Sequence, residues 1–371
     1  MKILITGAKG FVGKNLTAEL KNRGYNDLYL YDIDSKKEDL EQFCRDCEFV
    51  FHLAGVNRPK EESEFMKGNF GFTSDLLNEL KKNGNKAPIL ITSSTQAELN
   101  NPYGRSKKAG EDLIFAYGEE VNAKVYVYRM TNVFGKWCRP NYNSAVATFC
   151  NNIANNLEIK VNDPSVVMKL IYIDDVVDEF INALNDKANR IGKYCQVPVE
   201  YTIELGRIAE LIYSFKETRK NLTLPELGNE FEKKLYSTYL SYLPMDNLAY
   251  PLKMNVDNRG SFTEFLRTDN KGQVSVNVAH PGITKGNHWH HTKNEKFLVV
   301  SGEALISFRK PDEEEIYDYR VSGKELMVVD IPCGYTHSIT NVGEDDLVTV
   351  MWVNEAFNPD KPDTFFEPVR K

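Results

Sequence analysis

The chain has 371 residues, 42% of them hydrophobic and 27% charged, with a formal net charge of -7. That balance suits a globular protein of two or three domains with a large core, and the lack of a dense basic stripe argues against nucleic acid as the main partner. No apolar run approaches the roughly 18 residues of a membrane span, and nothing like a leader precedes the first strand, so the expected location is the cytoplasm, off the membrane.

Residues 1 to 130 alternate strands and helices. KILITGA, DLYLYDI, FVFHLAG, PILITSS and VYVYRMTN read as buried strands, and GFVGKNLTAELKNRG has helical spacing with a closing glycine. Such alternation predicts a Rossmann-type, doubly wound parallel sheet. Helices and short strands continue to about residue 243, and the turn-rich PMDNLAYPLKMNVDNRG follows. Beyond it, runs such as QVSVNVAH, KFLVVSGEALISFRK and ELMVVDIP form an all-β pattern suited to a barrel. The expected fold class is therefore α/β plus all-β, with domains at 1–247 and 253–371. Six scattered cysteines do not make a disulfide framework, and the CxxC pair Cys44 and Cys47 reads as two incidental thiols.

Gly7-Ala-Lys-Gly10-Phe11-Val12-Gly13 follows a strand and opens a helix. Glycines let the backbone approach a pyrophosphate, and the helix N-terminus offers free amides and partial positive charge. Asp32 ends the second strand, where a carboxylate favours the ribose 2'-hydroxyl of NAD. Ser35, Lys36 and Lys37 follow at once and could instead meet a 2'-phosphate, which leaves NAD and NADP both open.

Tyr103 and Lys107 are four residues apart, so on a helix they share a face. An ammonium beside a phenol is expected to lower its pKa. Such a phenol can exchange a proton with a carbonyl oxygen while a nicotinamide carries hydride at the carbon. Thr95, or its neighbour Ser94, would complete the hydrogen bonding.

Up to about residue 240, TGAKGFVG, FHLAG, YGRSK, RMTNVFG and YIDDV together resemble the extended short-chain dehydrogenase/reductase family, which acts on sugar nucleotides. The resemblance implies that Leu53, Ala54 and Gly55 line the cofactor and that Thr95 is the third catalytic residue beside Tyr103 and Lys107. Arg58, Asn132 and Arg139 become candidates for the sugar-nucleotide side, arginine because its planar fork suits a diphosphate.

Four of the six histidines lie at 280, 288, 290 and 291. On a strand His288 and His290 project from one face and His291 from the other. Glu295 can join them across a bend, and His337 arrives after Pro332 and Gly334. Imidazoles with a carboxylate make a mixed N/O site for zinc, iron, manganese or nickel. The spacings Gly282-x5-His288-x-His290-x4-Glu295-x6-Gly302 and Pro332-x-Gly334-x2-His337-x3-Asn341 resemble the two motifs of the cupin family, a jelly-roll barrel.

GITKGNHWH and DIPCGYTHSI also resemble the cupin deoxysugar 3,5-epimerases. There the residue at the place of His288 is the general base, and the one at Lys285 binds phosphate. Both readings hold if His290, Glu295 and His337 are the ligands and His288 moves the proton, although His288 remains a possible ligand. That family's catalytic tyrosine would fall in Asn354-Glu-Ala-Phe357, where no phenol exists.

With GVNRP, NHWHH and the reductase-then-cupin order, the whole chain resembles bifunctional capsular-polysaccharide enzymes of the UDP-N-acetyl-L-fucosamine route. The resemblance implies C3 epimerisation of UDP-2-acetamido-2,6-dideoxy-L-arabino-hexos-4-ulose at the cupin. NADPH-dependent C4 reduction to UDP-2-acetamido-2,6-dideoxy-L-talose would follow, with Zn2+ and a homodimer. Two rival readings are a plain 4-ketoreductase whose cupin serves only dimerisation or stability, and a redox-sensing regulator, which intact Tyr103 and Lys107 argue against.

Overall fold

The apolar runs that read as strands pair in parallel. A computed structural model gives the structure of residues 1–252, 255–257, 260–262, 266, 272–355 and 360–371. Contacts group it into two units, Met1–Ser144 with Val167–Ile203, and Ala145–Val166 with Glu204–Lys371.

In the first unit, Ile3–Thr6 lies between Leu28–Tyr31 and Phe49–His52, and Ile89–Ser94 and Val125–Met130 follow on the Phe49 side, all parallel. Two short strands, Tyr194–Cys195 and Arg190–Ile191, extend that edge. Ile3, Leu4, Ile5, Phe49, Val50 and Phe51 are buried, as expected of strands covered on both faces. The chain leaves Ile3–Thr6 toward one edge and returns on its other side, so the switch point opens at the ends of Ile3–Thr6 and Phe49–His52. Ligands of open α/β sheets bind at such crevices. Cys44 and Cys47 pack in the core with Leu40, Leu76 and Ile114, and burial pushes the Cys47 thiol up to about 12. They are structural thiols.

In the second unit, five antiparallel strands run in the order Ala249–Pro251, Met327–Ile331, Glu295–Ser301, Leu347–Val353 and Gln273–Ala279. A second five-stranded sheet has the order Tyr317–Ser322, Glu303–Arg309, Thr336–Asn341, Thr284–Trp289 and Phe365–Phe366. This is the all-β half expected from the alternating runs. The helices Ala145–Ala154, Leu205–Asn221 and Glu230–Leu240 group with these sheets, so the sequence boundary near residue 250 divides the chain by pattern and not by contact. Residues 253 and 254, where the second domain was expected to start, lie outside the described residues.

A buried ionic cluster joins helix and sheet in this unit. Lys296 and Asp330, 4% and 1% exposed, pair at 2.5 Å, and the Arg219 guanidinium approaches Asp330 at 3.3 Å. The Lys296 ammonium also donates to the Tyr250 phenol at 3.2 Å, and Arg219 stacks 4.4 Å from that ring. Burial alone would lower the Lys296 pKa, but Asp330 more than offsets this and holds it raised. Removing one partner of such a pair strands the other charge, at a cost of about 3–5 kcal/mol. Asp330→Asn is therefore expected to lower the urea midpoint of unfolding, and an unchanged midpoint would contradict the accounting.

Candidate functional site

The glycine loop is shaped by close approach. Gly7 has φ of 69°, and a Cβ there would stand 2.7 Å from the Ala54 amide nitrogen. A Cβ on Gly13 would meet the Gly7 carbonyl oxygen at 2.2 Å. The helix Phe11–Asn22 starts at Gly10 without a side-chain cap, which leaves its first amides for an anion. Beneath the loop, buried His52 shares hydrogen bonds with Thr6 Oγ1 at 2.7 Å and Thr73 Oγ1 at 2.8 Å. Burial holds its pKa down to about 3, so it is a neutral strut between strand and helix.

Gly7, Gly10, Phe11, Val12, Gly13, Leu53 and Gly55 line a cavity of about 630 Å³. Thr95, Tyr103, Lys107, Asn132 and Arg139 line the same cavity. Asp32, Ser35, Lys36, Ala54 and Arg58 are outside this lining. Asp32 instead accepts from the Lys9 amide at 2.7 Å and the Ile33 amide at 2.8 Å, and its own amide donates to Ser35 Oγ at 2.9 Å. It ties the second strand to the glycine loop. Arg58 is exposed.

Asn101 caps the helix Pro102–Val121 by accepting from the Gly104 amide at 2.7 Å, with proline in the first position. One turn on, Lys107 Nζ lies 5.9 Å from the Tyr103 ring centre and donates to the Thr92 carbonyl at 3.1 Å. Burial lowers the Lys107 pKa to about 8, with the Glu111 carboxylate pulling the other way. The phenol departs from expectation. Burial raises its pKa, neighbouring Tyr142 adds to this, and a hydrogen bond with Ser94 works against it. A protonated phenol is the form that donates to a carbonyl oxygen, so the shift suits reduction. Ser94 and Thr95 both line the cavity with Tyr103, Ser94 at the strand end and Thr95 at the start of a tight helical turn, Thr95–Glu98.

Two supports escaped the sequence reading. Asn69, buried in a π-helical turn Met66–Gly71, accepts from the Val56 amide at 2.8 Å and donates to Ser106 Oγ at 3.0 Å. A Cβ on Gly55 would meet its Oδ1 at 2.9 Å and Lys107 Nζ at 3.1 Å, so this turn, the glycine and the lysine are packed together. Fully buried Glu111 takes a two-pronged bond from Arg129, at 2.8 and 2.7 Å, and one from Ser93 Oγ at 2.6 Å. It holds the Ser93–Ser94 strand end to the Tyr103 helix. The signals were a lone asparagine and a Glu four residues after Lys107, neither distinctive without the fold.

In the second unit the ligating atoms of His288, His290, Glu295 and His337 lie within 4.8 Å of one another. The means is a β-bulge between Gly286 and His288, where Asn287 adopts φ of 56°. The extra residue places His288 directly across from His337 on one face of the sheet, where unbroken register would pair it with Thr336. A Cβ on Gly286 would stand 2.8 Å from the His337 carbonyl oxygen, so glycine is needed at the crossing. Glu295 opens the next strand, 3.6 Å from His290 Nε2 and 3.1 Å from His337 Nε2.

Burial and the two neighbouring imidazoles lower the His288 pKa to about 3, and burial also lowers His337. Burial alone would raise Glu295, but His290 and His337 hold it below the carboxylate range. His290 Nε2, Glu295 Oε2 and His337 Nε2 are buried without a hydrogen-bond partner among the described residues. Imidazoles and a carboxylate, with orphaned atoms converging, fit a borderline divalent metal. His291 packs its ring on Trp289 and Phe365, off the cluster as expected. The Lys285 ammonium is committed to Asn277 Oδ1 and the Val278 carbonyl, both at 2.7 Å. Of the place where a family tyrosine would fall, Ala356 and Phe357 lie outside the described residues.

Residues 3–195 match the NAD dependent epimerase/dehydratase family, and residues 255–365 match the polysaccharide biosynthesis C-terminal domain. The chain is 45% identical, over 98% of both chains, to a UDP-2-acetamido-2,6-beta-L-arabino-hexul-4-ose reductase of Pseudomonas aeruginosa. It is 54% identical to the solved capsular polysaccharide assembling protein CapF of Staphylococcus aureus, with a TM-score of 0.70 and complete coverage of both chains. A CapF structure with the inhibitor 3-isopropenyl-tropolone matches at 50% identity and a TM-score of 0.65, again over both whole chains. Glycine loop, parallel sheet and matched span agree: the chain belongs to the NAD dependent epimerase/dehydratase family.

Proposed function

We propose that this protein is a bifunctional sugar-nucleotide enzyme of capsular polysaccharide synthesis. Its reductase machinery lies in 1–247 and its epimerase in the cupin, 253–371. The observation that carries the reading is that one chain holds two separate constellations, the Tyr103–Lys107 pair on a glycine-loop cavity and the His288/His290/Glu295/His337 cluster. Both act on a UDP-linked 4-keto-6-deoxy amino sugar. The names of the Pseudomonas and Staphylococcus relatives support that substrate and route.

At the cavity, NADPH would be held at its pyrophosphate by the Gly10–Gly13 amides and would supply the hydride for C4, while Tyr103 donates its proton to the C4 oxygen. Lys107 steadies phenol and ribose, and Arg139 and Asn132 hold the sugar-nucleotide side. Arg58 and Lys285 remain weaker candidates, since one is exposed and the other hydrogen-bonded to its neighbouring strand.

At the barrel, His288 takes the C3 proton, and a proton delivered from water to the other face of the enolate inverts C3. A divalent metal, Zn2+ by the resemblance, would be held by His290, Glu295 and His337 and would supply Lewis acidity toward the 4-keto group. A tropolone carries adjacent oxygens of the kind that chelate divalent metals, and its inhibition of CapF supports this. Epimerisation comes first, because reduction removes the carbonyl that acidifies C3. The working form is a homodimer in the cytoplasm. Among the described residues no helix is long and apolar enough to cross a membrane.

The test is to supply UDP-2-acetamido-2,6-dideoxy-L-arabino-hexos-4-ulose with NADPH and identify the product by NMR. UDP-2-acetamido-2,6-dideoxy-L-talose is expected, and a C4-reduced product with unchanged C3 would contradict the epimerase. NADPH is expected to exceed NADH in kcat/KM, because the Asp32 carboxylate is occupied by loop amides and Lys36 stands close in sequence. A tenfold preference for NADH would contradict this.

A further inference from the structure

His290 and Glu295 stand at the two ends of one loop, and what holds that loop comes from distant parts of the chain. We infer that Asp363, in the C-terminal segment, is the positioning residue that orients His290 and sets the loop of the metal site. The inference rests on the metal reading of the cluster.

One residue does two things. The Asp363 carboxylate accepts from three successive amides, His291 at 2.8 Å, Thr292 at 2.9 Å and Lys293 at 2.8 Å, and from Thr292 Oγ1 at 3.3 Å. Consecutive amides converging on an anion make a nest, which fixes the loop backbone. The Asp363 carbonyl oxygen meets His290 Nδ1 at 2.5 Å. A carbonyl can only accept, so the imidazole proton sits on Nδ1 and the Nε2 lone pair is left for the metal. Asp363 itself has φ of 38°, a conformation costly for a non-glycine residue. The bonds to its carboxylate hold that conformation, and with it the carbonyl that orients the ring.

The opposite side of the loop provides a control. Asn354 Nδ2 and Ser237 Oγ donate to the Thr292 carbonyl at 3.0 and 3.1 Å, and Asn294 Nδ2 donates to Ser237 Oγ at 3.0 Å. Ser237→Ala thus loosens the same loop through backbone and amide contacts, not through an imidazole.

The test titrates metal-free full-length protein with Co2+ and follows visible absorption, with circular dichroism to confirm folding. Asp363→Ala is expected to lose about 10–100-fold in metal affinity and to change the Co2+ spectrum. Asp363→Asn, which keeps one side-chain acceptor for Thr292 and Lys293 but loses that for His291, is expected to recover the wild-type spectrum and part of the affinity. Ser237→Ala should stay within a few-fold of wild type. Wild-type affinity and spectrum in Asp363→Ala would overturn the inference, as would an equal loss in Ser237→Ala. Failure of the wild type to take up Co2+ would instead overturn the metal reading beneath it. Independently of any variant, nitrogen-15 shifts of His290 in the metal-loaded protein should report a proton on Nδ1, and a proton on Nε2 would refute the inference.

Discussion

Tyr103→Phe is expected to lower NADPH-dependent reduction by about 10²–10⁴-fold while leaving proton exchange at C3 intact. The phenol is positioned for one task. It faces the cavity from the first turn of a capped helix and is kept protonated by burial. Lys107 shares its face, and removing only the hydroxyl leaves that lysine, the glycine loop and cofactor binding in place. Exchange at C3 uses the barrel histidines, so it should not respond. Measured in one assay mixture, NADPH oxidation and C3 exchange must separate; near-normal oxidation in this variant would remove Tyr103 from the mechanism.

The second large effect is on the metal site. Alanine at His290, Glu295 or His337 is expected to bring bound metal toward zero and to lower the barrel's melting temperature, because metal binding adds to folding free energy. His288→Ala should differ, keeping its metal while C3 exchange falls by about 10²–10⁴-fold. Glu295 makes its close contacts with His290 and His337, and His288 keeps surface exposure where the other two imidazoles are buried. Three protein ligands with an open position is the arrangement of a working site. Metal analysis of the four variants beside deuterium exchange decides the roles, and metal loss from His288→Ala would make it a ligand.

Period and spacing carried the parts of this protein that depend on local geometry. Tyr103 and Lys107 share a face because helices repeat every 3.6 residues, and His288 and His290 do because strands repeat every two. What failed to show depended on the chain's departures from regularity. The bulge at Asn287 brought His288 opposite His337. Asp32 also accepts from the Lys9 amide of the glycine loop, a contact its place at the end of a strand does not reveal. The phenol pKa was misjudged in sign, since an i,i+4 pattern shows the lysine but not the burial. Contacts across more than sixty residues, such as Asp363 on the His290 loop, leave no periodic trace.

The central claim is that the barrel performs chemistry of its own. Its most direct test is to incubate the metal-loaded protein with the UDP-linked 4-keto sugar in D2O without any nicotinamide cofactor and to follow C3 by NMR. The account predicts deuterium at C3 in the absence of NADPH. Reduction proceeding on addition of NADPH while C3 keeps its original hydrogen would contradict it and leave the cupin a structural module.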